Sequence, residues 1–277
     1  MPHKIITNIA RNAYKDNMLD HIVGKLHNKF GLIPVIGAEI EFYYRNEKCY
    51  PREGVGQEIQ ELGPHLRWND NNYTLKPEKG QGQFEIDIFP QENIHDTIEE
   101  ITKAKAYLSS VPNITLHPKP YADDYGSAMH FHINFLNSNG ENFFDHNSNI
   151  EHAAKSLCHF LGDHFLIFAP KSDHYNSFNK DFMAPTHVCF GGNNRSAAIR
   201  IPDAQPRRLE HRVSSPETNE YLAVCAILHA IYQGLSKPSS IGSHHKIHGN
   251  AFDEQYNLEK LPANIETAAK LFKFCTI

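Results

Sequence analysis

Four segments of this chain repeat one pattern, in which two polar side chains lie two positions apart within a stretch rich in strand-forming residues. Side chains two positions apart on a strand point to the same face of its sheet. One such pair is uninformative, but four of them, all suited to a metal ion or a phosphate, predict a shared catalytic cleft. The pairs are Glu39/Glu41, Glu85/Asp87, His130/His132 and Glu210/Arg212.

This repetition predicts an α+β fold with a curved antiparallel sheet, whose outer face is covered by helices. Each pair has a simpler reading by itself. Glu39 and Glu41 would be tolerated at an exposed sheet edge, and two histidines at strand spacing are more often a solvated face than a ligand pair. The recurrence of the pattern in four segments favours the functional reading.

Arginine is concentrated just before and within the last of these pairs. From Arg195 to Arg212, eighteen residues contain five arginines around the single glutamate Glu210. The bland interpretation is a solvated strand face with salt bridges. The functional one is a cationic wall for phosphate or carboxylate, which the planar guanidinium group holds with two hydrogen bonds, and Glu210 would then be a metal ligand.

The ligand types indicate which ion and which chemistry to expect. A site rich in carboxylates, with at most one histidine per ion, suits Mg²⁺ or Mn²⁺ rather than Zn²⁺. Arginines beside such ions suit phosphoryl transfer, in which the protein mainly positions substrates and neutralises charge. The sequence has no Gly-x-x-x-x-Gly-Lys motif, so it does not predict a P-loop enzyme.

Composition excludes other classes. The 277 residues, 40% hydrophobic and 21% charged, suffice for one large domain or two small ones, and the formal net charge of -5 argues weakly against a nucleic-acid-binding protein. No apolar run approaches the roughly 20 residues that span a bilayer, and the amino terminus lacks the apolar core of a signal peptide. Five scattered cysteines without a Cys-x-x-Cys pair predict reduced thiols in a cytoplasmic protein. The net charge and the lack of a long apolar run predict that it has no nucleic-acid or membrane partner.

Hydrophobic periodicity places these motifs on secondary-structure elements. Gly80 and Gly82 predict a tight turn before the second carboxylate pair, and Asn93 or Asp96 is expected to cap a helix. Helices are predicted over 9–30, 57–62, 93–110, 149–168, 218–235 and 264–274. Strands are predicted over 32–44, 84–89, 114–117, 125–135 and 186–190, followed by two strands across the arginine segment. The remainder of 45–74, and residues 170–185 and 238–261, are expected to be irregular.

Five motifs, in order, resemble those of the catalytic domain of glutamine synthetases and their glutamate–amine ligase relatives. They are Gly37-Ala-Glu-Ile-Glu-Phe42, Glu78 with Gly82-Gln-Phe-Glu85, Met129-His-Phe-His132, Asn194-Arg-Ser-Ala-Ala-Ile-Arg-Ile-Pro202 and Arg208-Leu-Glu-His-Arg212. Each motif is modest alone, whereas five in the family's order are specific. The resemblance implies one catalytic domain over residues 1–277 with the glutamine synthetase/guanido kinase-like fold.

The resemblance also implies ligands and roles. Glu41, Glu78 and Glu85 would bind one Mg²⁺, and Glu39, His130 and Glu210 the second. The ATP-binding residues would be His132, Asn134, Arg195, Arg200 and Arg208. Arg195 would stabilise the phosphate during its transfer. Arg195 and Glu210 would be the catalytic residues. Arg212 and the backbone of Gly126 would hold the amino acid. The family phosphorylates a glutamate side chain with ATP and then lets an amine displace the phosphate.

The chain departs from the family pattern where ammonia and glutamate bind. Met183 falls where the family has its flap glutamate, Ser177 falls on its glutamate-binding arginine, and Asp124-Tyr-Gly-Ser-Ala128 replaces Asn-Gly-Ser-Gly. Methionine cannot take a proton from ammonium. We also expect the family's amino-terminal β-grasp domain, on the order of 100 residues, to be absent and the carboxyl terminus to be shortened.

Three functions therefore stay open. The first is an ATP- and Mg²⁺-dependent ligase that joins a carboxylate, glutamate or a similar amino acid, to ammonia or an amine. The second is a catalytically impaired nucleotide- or metal-binding relative that acts with a partner subunit. The third is a phosphotransferase acting on a carboxylate or guanidino group. The partners would be small molecules, with assembly as a homo-oligomer or with another subunit.

Overall fold

The structure is a computed structural model that describes residues 2–15, 17–44, 73–244 and 246–274, without the side chains of residues 2–5 and 15. The helix predicted over 57–62 lies outside the described residues. Six α-helices are seen in the described part: α1 (Pro2–Lys15), α2 (Met18–Phe30), α3 (Ile94–Ser110), α4 (Asn147–Phe168), α5 (Glu220–Ser236) and α6 (Ile265–Leu271). None of these helices has the length and apolar character needed to cross a bilayer.

Nine strands of the described residues form one open sheet. They are β1 (Ile33–Tyr44), β2 (Tyr73–Pro77), β3 (Gln83–Ile88), β4 (Ile114–Thr115), β5 (Met129–Leu136), β6 (Phe190–Gly191), β7 (Ile199–Arg200), β8 (Leu209–Ser214) and β9 (Lys246–Ile247). The order is β2-β3-β1-β5-β8-β7-β6-β9, and β4 pairs with β1. The α+β class is as predicted.

Strand pairing is antiparallel through the part of the sheet that carries the carboxylates. The pairs β2–β3, β3–β1, β1–β5, β5–β8 and β8–β7 are all antiparallel. The short strand β6 instead pairs in parallel with β7 and β9, so the expectation of an antiparallel sheet fails at this edge. These parallel pairs are two residues long, and the pair of β6 with β9 joins segments that are distant in sequence, which local patterning does not reveal.

The two faces of the sheet differ in polarity. One face carries the polar pairs, and the alternate residues, such as Ile40, Phe84, Phe131 and Leu209, are fully or almost fully buried. These apolar side chains belong to a single hydrophobic core that also contains residues from all the helices. Helix α5 is buried along most of its length because its sequence is apolar on nearly every side. The core thus fixes the sheet from behind and leaves its polar face for chemistry.

Several local predictions are confirmed and two are corrected. Gly31 ends α2 in the left-handed conformation at φ 68°, and the Asn93 side chain accepts from the Asp96 amide to cap α3. The single helix predicted over 9–30 is instead two helices, interrupted by Asn17 in the left-handed region, which asparagine tolerates. Residues 73 and 74, predicted to be irregular, belong to β2.

Candidate active site

Strand register brings three carboxylates of the polar face together. Glu41 on β1 lies opposite Glu85 on β3, and Glu78 follows β2 just before the turn that leads into β3. The left-handed conformation of Gly82, at φ 75°, and a hydrogen bond from the Gln83 amide to the Gly80 carbonyl form this turn. One oxygen from each of the three glutamates lies within 4.8 Å of the others, a spacing that fits one cation.

A second group of candidate ligands begins at Glu39 on β1, two residues before Glu41. Glu39 lies opposite His130 on β5, and the His130 Nδ1 is 3.2 Å from Glu39 Oε2 and 3.6 Å from Glu210 Oε1. Glu39, His130 and Glu85 also offer atoms within 4.8 Å of one another. The structure therefore places all six residues suggested as metal ligands on one part of the sheet. Glu85 belongs to both groups, whereas Glu210 lies beside the second group through His130 and completes neither.

The electrostatic environment raises the pKa of some of these carboxylates and lowers that of another. Burial raises the pKa of Glu41 to about 7, with a further contribution from Glu78. Burial and then the charges of Glu39, Glu41 and Glu78 raise the pKa of Glu85 to about 10. Burial opposes ionisation of Glu39 too, but hydrogen bonds from His130 and His132 lower its pKa below the usual range.

Glu210 lies between two arginines. Arg200, directly opposite on β7, and Arg212, two residues further along β8, each bind one oxygen of the Glu210 carboxylate through Nη1. Although burial acts in the opposite direction, these arginines and the two nearby histidines lower the pKa of Glu210 to about 2. Salt bridges were expected if this segment were a solvated strand face. The Glu210 side chain is only 1% exposed, however, so this is not a solvated strand face.

His132 extends this polar network toward Arg208. Its Nε2 lies 2.6 Å from Glu39 Oε1, and its Nδ1 accepts from Arg208 Nε at 3.0 Å. Asn134 follows on the same face of β5 and is buried. Asp87 behaves differently from the other members of the four pairs, because it binds Lys76 Nζ and Thr74 Oγ1 on the neighbouring strand β2. It belongs to neither ligand group of the described residues.

A cleft of about 760 Å³, open to solvent, adjoins the first carboxylate group. Its lining includes Arg195, Arg212 and Gly126 together with Ser177 and Met183, the two departures noted in the sequence. Arg212 is buried, and its Nε has no hydrogen-bond partner in the structure. A Cβ atom at Gly126 would lie 3.0 Å from the Pro118 carbonyl oxygen and 3.1 Å from Ser177 Cβ, so the backbone is closely approached there.

Two residues of the site were not expected from the sequence. Gln83 Nε2 donates to the Gly126 carbonyl at 2.9 Å and its Oε1 accepts from the Gly80 amide at 2.9 Å, so this buried amide ties the glycine turn to the cleft. Lys76 lies opposite Glu85, with its Nζ 3.6 Å from Glu85 Oε1. The alternation in Tyr73-Thr-Leu-Lys76 is the signal that could have revealed this strand and its lysine.

Comparison with known proteins gives one consistent result. The model of the family described as glutamine synthetase, catalytic domain, matches residues 71–277. Gamma-glutamylputrescine synthetase PuuA of Escherichia coli is 25% identical over 93% of this chain, and glutamine synthetase of Halobacterium salinarum is 28% identical over 87%. The matched regions span 61% and 54% of those two proteins, so this chain corresponds to somewhat more than half of each.

Solved structures agree with this result at the level of the fold. A structure of a GmaS/ADP complex superposes with a TM-score of 0.77 at 23% identity, and covers 92% of this chain and 66% of the other. A glutamine synthase homologue superposes with a TM-score of 0.72 at 19% identity. At these identities the superpositions support the open α+β sheet and leave substrates undetermined.

Proposed function

Because this chain belongs to the glutamine synthetase family, we propose that it joins a carboxylate to an amine or ammonia in an ATP- and Mg²⁺-dependent ligation. The observation that carries the proposal is the meeting of two carboxylate-rich groups on one sheet face, next to arginines and an open cleft. We also propose that residues 1–277 act as one catalytic unit, assembled with copies of itself or with a partner subunit. The single core shared by the sheet and the helices supports this unit.

The ligand set fits two hard divalent cations. Glu41, Glu78 and Glu85 supply only oxygens and would hold one Mg²⁺ or Mn²⁺, whereas Glu39, His130 and Glu210 would hold the second. Three carboxylates with oxygens within 4.8 Å of one another, of which Glu41 and Glu85 are buried, are unfavourable without a compensating charge, so the donor set itself favours a cation. When bound, such ions neutralise the phosphate oxygens and polarise the phosphoryl group that is transferred.

The residues around these groups have chemistry suited to ATP. We assign His132, Asn134, Arg200 and Arg208 to the nucleotide, because they continue the polar face beyond Glu39 and Glu210. We assign Arg195, which is exposed at the cleft, to the transferring phosphate. Arg200 and Arg212 hold Glu210 from either side and thereby keep this carboxylate ionised and oriented.

In the proposed reaction an oxygen of the substrate carboxylate attacks the γ-phosphorus of ATP, and ADP leaves with the electrons of the broken bond. The amine nitrogen then attacks the carbonyl carbon of the acyl phosphate, and inorganic phosphate leaves. Arg212 and the Gly126 backbone, which line the cleft, would orient the amino acid for both steps. The unpaired Nε of buried Arg212 supports this role, since a substrate carboxylate would satisfy it.

One observation is also compatible with the two other functions. Ser177 and Met183 line the cleft and offer neither a guanidinium group nor a carboxylate to a substrate. A relative that binds nucleotide and metal without turnover would have this cleft, and so would a phosphotransferase that stops at the phosphorylated acceptor. The three functions differ in their products, namely an amide, unchanged ATP and a phosphorylated acceptor.

The test is a substrate screen on the purified chain. ATP and Mg²⁺ are combined with panels of amino acids and amines, ADP release is measured, and products are identified by mass. We expect carboxylate-dependent ADP release and an amide product. Replacing Glu85 with alanine should lower the rate on the order of 10²–10³-fold, the usual cost of losing one group that stabilises the transition state. Glu99→Ala removes an exposed carboxylate of α3 and is the matched control. Calorimetry that shows no metal-dependent ATP binding would contradict the proposal.

A further inference from the structure

Part of the cleft lining is apolar and lies away from the sheet. Tyr125, Phe178, Phe182 and Met183 contribute to the lining, and we call these four residues the aromatic wall. Met183 follows a short 3-10 turn over Lys180–Phe182 in the left-handed conformation, at φ 57°, and its side chain remains 38% exposed. An apolar side chain is thus displayed at the cleft, although burial elsewhere would be more favourable.

Ring contacts hold the aromatic wall in place. Phe178 packs against Phe165 of α4, with ring centroids 5.2 Å apart. The edge of one ring meets the face of the other between Tyr125 and Phe182, at 5.5 Å. Because Phe178 is fixed to a core helix and Phe182 to a neighbouring ring, the wall is a defined surface for an apolar group.

Two lysine ammonium groups lie against rings of the aromatic wall, and the carboxylate of Asp124, which precedes Tyr125, is held by the Tyr125 and Gln81 amides. Lys119 Nζ lies 3.7 Å from the centroid of the Phe182 ring, and Lys79 Nζ lies 6.0 Å from that of Tyr125. Among the described residues, the carboxylates that line the cleft are Glu41, Glu78 and Glu85, the same three that form the first ligand group. Lys79 lines the cleft beside the aromatic wall, and none of the four wall residues carries a carboxylate, so a second ammonium group on a substrate packed there would be repelled by Lys79 and would have no wall carboxylate to bind it.

We propose that the amine substrate is a primary amine with an apolar substituent, which packs on Phe182 and Met183 while its nitrogen attacks the acyl phosphate. This inference rests on the proposed ligase function. The amine reacts as the neutral base: its lone pair forms the bond to the carbonyl carbon, the bond from that carbon to the phosphate oxygen breaks, and one N–H proton leaves with the departing phosphate.

The experiment compares amines in the presence of the carboxylate that supports ADP release. Butylamine and 1,4-diaminobutane form the critical pair, because they share a four-carbon chain and differ by one terminal ammonium group. We expect kcat/KM for butylamine to exceed the value for ammonia by about 10- to 100-fold, because a few methylene groups are buried, and to exceed the value for diaminobutane by about 10-fold or more, because the second ammonium group would lose its hydration against an apolar wall. Equal or faster reaction with ammonia or diaminobutane would overturn the inference alone. Absence of ADP release with every amine would overturn the ligase function and this inference together.

A substitution sharpens the result. Met183→Glu adds a carboxylate to the aromatic wall and should shift the ratio of kcat/KM toward diaminobutane by about 10-fold. Leu271→Glu places the same charge on an exposed apolar position of α6 that does not line the cleft, and should leave the ratio unchanged. An equal shift in the two variants, or none in Met183→Glu, would contradict the role of Met183. The comparison of amines with the unmodified protein needs no variant and decides the main point if Met183→Glu fails to fold.

Discussion

The carboxylate of Glu220 and the group of three carboxylates formed by Glu41, Glu78 and Glu85, which we call the unbalanced group, have opposite electrostatic surroundings. At the start of α5, Glu220 binds Lys105 Nζ at 2.6 Å through one oxygen and Thr102 Oγ1 through the other. On the polar face of the sheet, Glu41, Glu78 and Glu85 share one small space, and Lys76, which contacts Glu85, also binds Asp87. The first group matches each negative charge with a positive one, whereas the second has more carboxylates than cations.

The pKa values of Glu220 and Glu85 move in opposite directions. Burial opposes ionisation of Glu220, but Lys105 and Thr102 lower its pKa below the usual value. Burial and neighbouring carboxylates raise the pKa of Glu85. A buried charge with its partner can stay ionised and hold two helices together, while a cluster of like charges becomes favourable only when a cation is added. The comparison distinguishes Glu220, whose charge stabilises the fold, from Glu85 and its neighbours, which a cation would stabilise.

The largest effect on stability is expected from Glu220→Gln. This change keeps the shape of the side chain and leaves Lys105, only 15% exposed, without its anion. We expect a loss of about 3 kcal/mol in the free energy of unfolding, measured by urea denaturation. Glu99→Gln, which breaks an exposed pair with Lys103 on the same helix α3, should cost far less, because water screens an exposed ion pair. Replacing Lys105 with methionine in the Glu220→Gln protein should recover part of the loss. Equal losses in the two single variants would refute the distinction.

A smaller effect is expected from the unbalanced group when a cation is supplied. Mg²⁺ at 100 times its dissociation constant should raise the free energy of unfolding by about 2.7 kcal/mol, seen as a higher Tm than in EDTA. Glu85→Gln should lose most of this shift, because a ligand common to the two groups is gone. In EDTA the same variant should be at least as stable as the parent, since the raised pKa of Glu85 keeps this side chain protonated without a cation, and glutamine has the shape of the protonated acid. A full Mg²⁺ shift in Glu85→Gln, or a variant much weaker than the parent in EDTA, would contradict this account.

The unbalanced group could be anticipated from the sequence because it depends on period-two spacing in strands that pair directly. Glu39 and Glu41 share a face of β1, and the register then places His130 and Glu85 opposite them. Alternation within a strand determines the face, and the recurrence of polar pairs indicates that the faces meet. The α+β class follows from the same pattern.

Other features depend on contacts that spacing does not encode. Asp87 lies two residues after Glu85 on β3 and shares its face, but it binds Lys76 and Thr74 of β2, a strand that was not predicted from the sequence. The Lys105–Glu220 pair joins residues 115 positions apart, so no local signal announces it. The two-residue strand β9 is likewise too short for a periodic pattern, and it lies within residues 238–261, which were expected to be irregular. Tertiary packing decides such features, and the sequence supplies only compatible residues.

The smallest effect is expected from a third carboxylate, which lies between the two extremes. Glu217 Oε2 is 2.8 Å from His174 Nε2 and 2.9 Å from Lys171 Nζ, and its side chain remains 27% exposed. The hydrogen bond with His174 is the main cause that lowers the pKa of Glu217 to about 2. Since the folded pKa is below the unfolded value, the stabilisation is complete above about pH 4.5 and is lost as pH falls toward 2.

The acid dependence of Glu217→Gln tests this intermediate case. We expect the parent to exceed the variant by about 1 kcal/mol at pH 6, less than the pKa shift alone implies, because the carboxylate is partly open to water. The difference between the two proteins should shrink between pH 4.5 and 2, and subtraction removes the titration of every other carboxylate. Urea unfolding at a series of pH values measures it. A difference that stays constant with pH would mean that Glu217 stabilises the protein by packing rather than by charge, and a pairing of charges in this partly exposed group would then contribute nothing measurable.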